Sequence, residues 1–263
     1  MHCVAEMDPL LWKIKEESIM NETIQGLWER KSVRVFTDQA ISPEDKALIL
    51  QSAMEAPTAG NQQLYTILDI TDQQLKERLA VTCDNQPFIA EAKMVLIFCA
   101  DCQKWYDAYL TGGCEPRKPG AGDLMLAVTD AAIAAQNAVT AAESLGIGSC
   151  YIGDVMEQCE AHRELLNLPQ YVFPAAMLVF GYPTKQQKER KKPERCDLAD
   201  IVQENGYCRK DEKQLKHMLR KQYKERDFHS WIEAFCNRKY NSDFSREMSR
   251  SVGVYLKEFQ EKQ

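Results

Sequence analysis

Residues 30–34 could bind an anionic ligand. The stretch reads R-K-S-V-R, so three cations surround one hydroxyl, and Val33 and Val35 alternate with the polar positions, which predicts a short extended segment. Arginine binds phosphate oxygens through two parallel hydrogen bonds, and a serine hydroxyl supplies one more donor. The stretch therefore predicts an anion site, with a solvated basic turn as the structural alternative.

Two further stretches could place backbone groups against a flat polar ligand. Residues 56–63 read A-P-T-A-G-N-Q-Q, a turn-rich loop whose small residues and amides could present N–H groups, although most loops of this composition only turn the chain. Residues 147–154 read I-G-S-C-Y-I-G-D, a short strand ended by glycine, where a ligand can approach the backbone closely.

Residues 185–195 form an anion-attracting patch. They include six basic and two acidic residues, in a chain whose formal net charge is −6. A solvated charged loop is the alternative.

Composition excludes several classes of function. The net charge of −6 argues against general nucleic-acid binding, which needs a basic face. No apolar run approaches the roughly 20 residues of a membrane-spanning helix. Of ten cysteines only Cys99 and Cys102 form a C-x-x-C pair, with no second pair to complete a zinc site. We therefore expect no nucleic acid, membrane or metal partner, and free thiols that suit a reducing cytoplasm.

Residues 1–20 are expected to be an extension before the domain. Glu6, Asp8, Glu16 and Glu17 stand where a signal peptide would be basic and then apolar. The extension is either a mobile arm or a stretch preceding a natural start at Met20.

One long helix over residues 123–146 is expected to position these stretches. At about 100° per residue, its polar residues fall within roughly 140° of arc and the rest of its circumference is apolar. A surface helix shows an apolar stripe little wider than about 100°, so this helix must be covered on several sides. Its alanines allow close approach of a neighbouring backbone, and Gly146 ends it in a left-handed cap. The helix is thus a core helix, or a core helix that also forms a subunit interface.

Elsewhere helices and strands interleave, which predicts an α/β or α+β class with one mixed sheet; we expect α+β. Strands are expected over 64–70, 93–100, 147–154 and 175–181, and helices over 21–30, 73–81 and 155–168, with amphipathic helices after 211. Ser42 is expected to cap a further helix whose buried face is Ala47, Leu50, Ala53 and Met54. Between 101 and 122 the pattern dissolves into a loop around Trp105, Tyr106 and Tyr109, either a mobile wall over a site or a disordered segment.

In this order the stretches resemble the FMN-dependent nitroreductase family, and within it the NADPH-preferring flavin reductase and oxygen-insensitive nitroreductase branch. The resemblance rests on the stretches at 30–34, 56–63 and 144–153, on A-Q-N-A at 135–138, and on K-P-E-R at 192–195 and E-N-G-Y at 204–207. It covers residues 21–207. The branch often has histidine where Arg30 stands, and its Lys-Pro-Arg is one residue longer here, from Lys192 to Arg195.

The resemblance implies a homodimer with a mixed sheet flanked by helices, the long helix at the dimer interface, and a helical C-terminal excursion. One FMN would occupy each of two interfacial pockets. The chain would divide into an N-terminal extension (1–20), an FMN-binding domain (21–207) and a helical C-terminal extension (208–263).

The resemblance also implies roles for individual residues. Those proposed to hold the phosphate, ribityl chain and pyrimidine edge are Arg30, Lys31, Ser32 and Arg34, with Lys192 and Arg195 adding charge at the phosphate. Those expected from the other subunit are Thr58, Ala59, Gly60 and Gln63, while Gln86 would reach the ribityl or ring edge. Those lining the isoalloxazine would be Tyr151, Ile152 and Gly153, with a backbone N–H near the reactive nitrogen.

The implied activity is a ping-pong oxidoreductase. NADPH or NADH would pass a hydride to FMN and leave, and a nitroaromatic, quinone or free flavin would then be reduced in the same slot. The chemistry belongs to the flavin, so no protein acid or base is nominated. Three alternatives stay open: a relative with a narrow substrate (flavin destruction or dehalogenation), a flavin-binding protein without useful turnover, and a metal protein built on Cys99 and Cys102.

Overall fold

The computed structural model describes residues 21–260, so the expected extension over residues 1–20 lies outside the described residues. The described residues divide into two compact units, 26–190 with 243–260, and 21–25 with 191–242. The division at residue 207 stays a prediction.

The described residues form four strands and twelve helices. The strands are β1 (Tyr65–Asp69), β2 (Met94–Asp101), β3 (Gly148–Ile152) and β4 (Val172–Gly181). The helices are α1 (Glu22–Glu29), α2 (Pro43–Met54), α3 (Gln73–Thr82), α4 (Phe88–Glu91), α5 (Gln103–Thr111), α6 (Ala121–Ser144), α7 (Cys159–Leu166), α8 (Lys185–Glu189), α9 (Leu198–Ile201), α10 (Glu212–Tyr223), α11 (Phe228–Lys239) and α12 (Asp243–Glu258). Short 3-10 turns occupy Ala59–Asn61 and Gly153–Met156.

The sheet has the order β1-β2-β4-β3, and each neighbouring pair is antiparallel. Every residue of the central strand β2 is buried, as expected of an apolar run covered on both faces. Within the described residues, parallel pairing is confined to an isolated bridge between Ser32 and Ser149. The α+β class is confirmed, and the sheet expected to be mixed is antiparallel in its ladders.

The sheet separates two parts of the core. Successive side chains of a strand point to opposite faces, so Phe98 of β2 packs with the alanines of α6. Val95 packs on the other face with Leu79 of α3 and Ile89 of α4.

The long central helix is confirmed as α6. The Asp123 carboxylate accepts the N–H of Gly120 at 2.7 Å, which closes the first turn. Gly146 follows the helix with φ +72°, the predicted left-handed conformation. The buried residues of α6 are Leu124, Ala127, Asp130, Ala131, Ala134, Ala135, Ala138, Val139 and Ala142.

One stripe of α6 is apolar and left uncovered by residues 21–260. Met125 and Leu126 are 62% and 51% exposed. By length and hydropathy α6 could also cross a membrane. However, 44% of its most apolar stretch is buried in the fold, and core helices of soluble proteins can have the same length and hydropathy.

The capping residue of α2 was predicted correctly, and its buried face was predicted correctly only in part. Ser42 Oγ accepts the N–H of Asp45 at 3.0 Å. Ile49 and Ala53 are fully buried, whereas Met54 is exposed. The face is rotated because α2 packs on α6, where the Asn137 amide donates to the Ser52 carbonyl at 3.1 Å.

The expected loop between residues 101 and 122 was wrong for its first half, which is helix α5. The Asp101 carboxylate accepts the N–H of Lys104 at 3.1 Å and starts the helix. Tyr106 meets Tyr171 edge to face, with ring centroids 5.6 Å apart. Packing of these aromatics stabilises a helix that periodicity alone did not indicate.

The last helix, α12, packs on α7 within the first unit. Arg163 forms an ion pair with Glu258, and Arg250 forms one with Glu160. Ser251 Oγ accepts the N–H of Cys159 at 2.9 Å. This helix is therefore fixed by charged and polar contacts as well as by its apolar face.

The second unit contains α9, α10 and α11. An aromatic row of Tyr223, Phe228, Trp231 and Phe235 joins α10 to α11. Asp197 and Asp200 lie near His217 in a group that could hold a metal ion, but Arg220 pairs with both carboxylates and Lys221 with Asp197. A metal there would have to displace two cations.

Candidate functional site

The basic segment at 30–34 continues into an extended stretch held against β3 and β4. The N–H of Val33 donates to the Ser149 carbonyl at 2.9 Å, and the N–H of Thr37 donates to the Tyr182 carbonyl at 2.8 Å. A Cβ on Gly148 would lie 2.5 Å from Val33 Cγ2, and one on Gly181 would lie 2.7 Å from Phe36 Cδ1. Two glycines thus allow this close approach, which fixes the position of the basic side chains.

Arg30 presents an unsatisfied donor. Its Nη1 atom is buried and has no hydrogen-bond partner in the part of the chain that the structure describes. Burial raises the pKa of Tyr151 to about 12, and the positive charge of Arg30 opposes that rise. A buried guanidinium nitrogen without a partner is uncommon, so a missing anionic or carbonyl ligand explains it best.

Lys31 and Ser32 connect the basic segment to the end of α8. Lys31 Nζ donates to the carbonyl oxygens of Lys188 and Arg190 at 2.5 and 2.6 Å. The Arg190 guanidinium donates in turn to the Ser32 carbonyl. Two of the three Lys31 donors are therefore used within the chain, and the structure places Lys31 chiefly as a cross-link whose charge stays beside the site.

Arg34 is exposed, and its side chain lies near the turn that contains the predicted residue Gln86. Its guanidinium lies 5.9 Å from the ring centroid of Phe88, and its backbone N–H donates to the side-chain oxygen of Gln187 at 3.4 Å. Gln86 lies two residues before Phe88, and its side-chain amide donates to the Cys83 carbonyl at 2.8 Å. The turn before α4 is thus next to Arg34.

Strand β3 lies beside the basic segment, to which it is joined by the bridge between Ser149 and Ser32. Ser149 is buried, and its hydroxyl has no partner among residues 21–260. Burial raises the pKa of the Cys150 thiol, although Arg34, Ser32 and Arg30 lie near enough to oppose the rise. The sequence did not predict a role for Ser149. The available signal was a polar hydroxyl between Gly148 and Cys150 in a strand that is otherwise mostly buried.

The other predicted residues of this strand differ in exposure. Tyr151 is partly exposed, and its hydroxyl donates to Gln136 Oε1 of α6 at 3.4 Å. Ile152 is buried, and Gly153 begins the 3-10 turn that follows.

The loop at 58–63 is held by Asp130, a residue of α6 that is only 3% exposed. Its two carboxylate oxygens accept the N–H groups of Ala59 and Leu64 at 3.0 and 3.2 Å. Thr58 Oγ1 accepts the N–H of Gln63 at 3.3 Å. Sequence reasoning did not assign Asp130 a role, although a carboxylate among alanines was the available signal.

The backbone of this loop is in an unusual conformation. Gly60, Asn61 and Gln63 have φ of +57°, +56° and +50°. Left-handed backbone costs about 1–2 kcal/mol at a residue other than glycine, so the hydrogen bonds to Asp130 and Thr58 must offset that cost.

The predicted residues of the first unit fall into two groups. Strand β3 contacts α6 at Gln136, through the hydroxyl of Tyr151, and the loop at 58–63 contacts it at Asp130. Six helical residues separate these points by about 9 Å along the axis and about 120° around it. Lys192 and Arg195 belong to the second unit, so their predicted role at the same ligand stays a prediction.

These groups suit a ligand that brings its own reactive atoms. Cations, a buried guanidinium without a partner and a buried hydroxyl without a partner bind and orient an anion, and they include no nucleophile paired with a base. A phosphate-bearing cofactor fits this set of donors.

A model of the nitroreductase family matches residues 27–182, more than half of the sequence. The chain belongs to the nitroreductase family. The chain is 30% identical to an FMN reductase [NAD(P)H] of Bacillus subtilis, over 90% of this chain and 91% of the relative. It is 36% identical to an oxygen-insensitive NADPH nitroreductase of Salmonella typhimurium, over 74% of this chain and 79% of the relative. The solved structure of NfrA2 from B. megaterium matches with a TM-score of 0.76 and 29% identity, over 91% and 98% of the two chains.

Proposed function

We propose that this member of the nitroreductase family is an FMN-dependent NAD(P)H oxidoreductase that reduces nitroaromatics, quinones or flavins. The buried, unpartnered Nη1 of Arg30 carries the proposal, because it marks a missing anionic ligand between the basic segment and β3. Relatives named FMN reductase and NADPH nitroreductase support FMN as that ligand and a nicotinamide as its reductant.

The chain's own residues would bind and orient the cofactor. FMN, when bound, would supply the hydride-transfer chemistry between NADPH or NADH and the acceptor. Arg30, Ser32 and Arg34 would hold its phosphate, ribityl chain and pyrimidine edge, and Tyr151 and Gly153 would line its ring. Lys192 and Arg195 would add charge at the phosphate, a role supported by their sequence stretch alone.

The working form would be a homodimer. Met125 and Leu126 of α6 and Leu48 and Met54 of α2 are exposed apolar side chains. The loop at 58–63 and strand β3, which pairs with the basic segment, contact α6 on different sides, so a second copy would supply the loop to each cofactor. Thr58, Ala59, Gly60 and Gln63 would thus act on the flavin of the partner subunit.

A reducing cytoplasm would suit the protein. The nine cysteines within residues 21–260 are unpaired, and burial raises the pKa of Cys99 and of Cys102 to about 12. Within residues 21–260 neither Cys99 nor Cys102 belongs to a group of three or more side chains that could hold a metal ion, which disfavours the alternative of a metal site at this pair.

The basic stretch at 185–195 would favour NADPH over NADH. Replacing Lys188, Arg190 and Lys191 by alanine should lower the ratio of kcat/KM for NADPH to that for NADH. An unchanged ratio would remove this stretch from the recognition of the extra phosphate. Arg190→Ala alone should also be measured, because Arg190 bonds to the Ser32 carbonyl and its loss could weaken FMN binding instead.

Visible absorbance of the purified protein tests the function. A flavin band that bleaches under anaerobic NADPH and returns with a quinone is the expected result. If bound FMN does not bleach, the protein is a flavin-binding protein without turnover. If saturating FMN does not bind, the proposal fails.

A further inference from the structure

Helix α5 carries an aromatic pair that has no role in the site described above. Trp105 and Tyr109 lie one turn apart, with ring centroids separated by 5.6 Å and planes inclined by 42°. Trp105 packs against the core cluster that contains Phe173, whereas Tyr109 and its neighbour Leu110 are 39% and 49% exposed. One ring is thus anchored and the other faces outward.

A single residue, Gln62, fixes both rings to the loop at 58–63. Trp105 Nε1 donates to the Gln62 carbonyl at 2.6 Å, and the Gln62 amide donates to the Tyr109 hydroxyl at 3.4 Å. Gln62 lies between Asn61 and Gln63, both in the left-handed conformation. Because Asp130 holds both ends of this loop, the ring of Tyr109 has a defined position beside it.

The pair supplies a surface that the loop lacks. The loop offers polar side-chain amides, while Tyr109 and Leu110 offer exposed apolar area. A flat aromatic molecule gains from an aromatic neighbour at ring-centroid separations of about 4.5–7 Å. A compact inorganic anion gains nothing from the same neighbour.

We propose that Tyr109, positioned by Trp105, is a specificity-determining residue that favours flat aromatic electron acceptors over compact inorganic ones. The inference rests on the proposed function, in which the loop at 58–63 reaches the flavin of the partner subunit and the acceptor is reduced at that flavin in the slot beside the loop. It adds the ring of Tyr109 as a side wall of that slot.

The test compares two acceptors on the FMN-loaded, full-length protein with NADPH as the electron donor. The acceptors are 2-methyl-1,4-naphthoquinone, which is flat, and ferricyanide, which is not. Tyr109→Leu should lower the ratio of kcat/KM for the quinone to that for ferricyanide by about three- to tenfold, mainly through a higher KM for the quinone. Tyr109→Phe keeps the ring and should retain the ratio within about twofold. Tyr240→Leu, at another exposed tyrosine (80% exposed), is the matched control and should leave the ratio unchanged.

Each outcome decides the proposal. An unchanged ratio in Tyr109→Leu, or an equal loss for both acceptors, overturns the role of Tyr109 while leaving the oxidoreductase function intact. A ratio that falls in Tyr109→Phe as strongly as in Tyr109→Leu assigns the effect to the hydroxyl and overturns the aromatic wall. If the unmodified FMN-loaded protein oxidises no NADPH with either acceptor, the proposed function fails and the inference falls with it.

Discussion

The Oδ1 atom of Asp130 lies 3.0 Å from the backbone nitrogen of Ala59, 71 residues earlier in the chain. Its second oxygen accepts the N–H of Leu64, so one buried carboxylate closes the loop at 58–63 from inside the core. The alanines of α6 let the helix approach the sheet closely, and Asp130 is the polar exception in its buried face. Its retention in apolar surroundings is explained by the two backbone donors that it satisfies.

Asp130→Asn should destabilise the protein and weaken FMN binding together. The amide presents an NH₂ group to one of the two backbone donors, which leaves that donor buried and unsatisfied. We expect the free energy of unfolding in urea to fall by about 2–4 kcal/mol. Asp107→Asn, an exposed aspartate of α5, is the control and should change it by less than about 0.5 kcal/mol. Equal stabilities of the two variants would contradict the role of Asp130.

Arg30→Ala should weaken FMN binding by about 10- to 150-fold, because a hydrogen bond to a charged group contributes about 1.5–3 kcal/mol. Flavin fluorescence during titration of the FMN-free protein measures the Kd. Arg30→Lys keeps the charge but loses the paired donors, so it should bind with intermediate affinity. Arg238→Ala, at a cation of the second unit, is the control. An unaltered Kd in Arg30→Ala would move the anion site elsewhere.

Gly148→Ala should disturb the basic segment through a steric clash. The new Cβ would meet Val33 Cγ2 at 2.5 Å and Val33 Cβ at 2.8 Å, so the segment must shift away from β3. We expect a loss of about 1–3 kcal/mol in stability, together with weaker FMN binding. Gly253→Ala in α12 is the matched control, because nothing lies within 4 Å of its added Cβ and helix propensity should raise stability by up to about 1 kcal/mol. Similar thermal midpoints for both variants would argue against the close approach.

Glu157 should make stability fall as pH rises toward neutrality. Burial, followed by the nearby Asp154, Asp84 and Glu247, raises the pKa of Glu157 from 4.5 to about 7, and the residue is only 5% exposed. The folded protein therefore holds this proton more tightly than the unfolded chain does. Its contribution is fully present below about pH 4.5 and is lost as the pH rises through about 7.

Urea unfolding between pH 5 and pH 8 measures this dependence. Glu157→Gln, which stays neutral, should flatten the decline in the free energy of unfolding across that range. Glu164→Gln, at an exposed glutamate of α7, should leave the decline as it is. A decline that is steeper in Glu157→Gln than in the wild type would show that Glu157 stabilises the protein as the pH rises, which would contradict the assignment.

Charges placed on the uncovered stripe of α6 should dissociate the proposed dimer. Met125→Glu and Leu126→Glu would bury an unpaired carboxylate in the interface, which is strongly unfavourable. Sedimentation velocity should show a shift toward monomer, with FMN binding lost in parallel. Val81→Glu, at an equally exposed apolar residue of α3, should leave the assembly unchanged. Dimers that persist in both α6 variants would place the interface on another surface.

The elements were largely readable from the sequence, because periodicity and end residues reflect local physics. The alanine-rich helix, its ending at Gly146 and the cap at Ser42 each follow from residues within one or two turns. Helix α5 was not predicted, because its aromatic side chains pack against core residues that are distant in sequence. Tyr106, for example, packs on Tyr171. The exposed Met54 has the same cause, as the rotation of α2 is set by contact with α6.

The candidate site was foreseen in its residue types but not in its supports. The cations at 30–34 and the backbone of β3 do lie side by side, joined by the bridge between Ser32 and Ser149. Asp130 and Ser149 escaped prediction, because a buried polar group gains its meaning only when its partners, or their absence, are known. The role of Lys31 as a cross-link to Lys188 could not be foreseen for the same reason.

The hydrogen bonds from Lys31 to the end of α8 bear on how the protein folds. They join residues 157 and 159 positions apart, so the chain must close a very long loop before the basic segment is locked in place. During synthesis this contact cannot form until Arg190 has left the ribosome. Flavin capture should therefore follow formation of the sheet, whose last strand, β4, ends at Gly181.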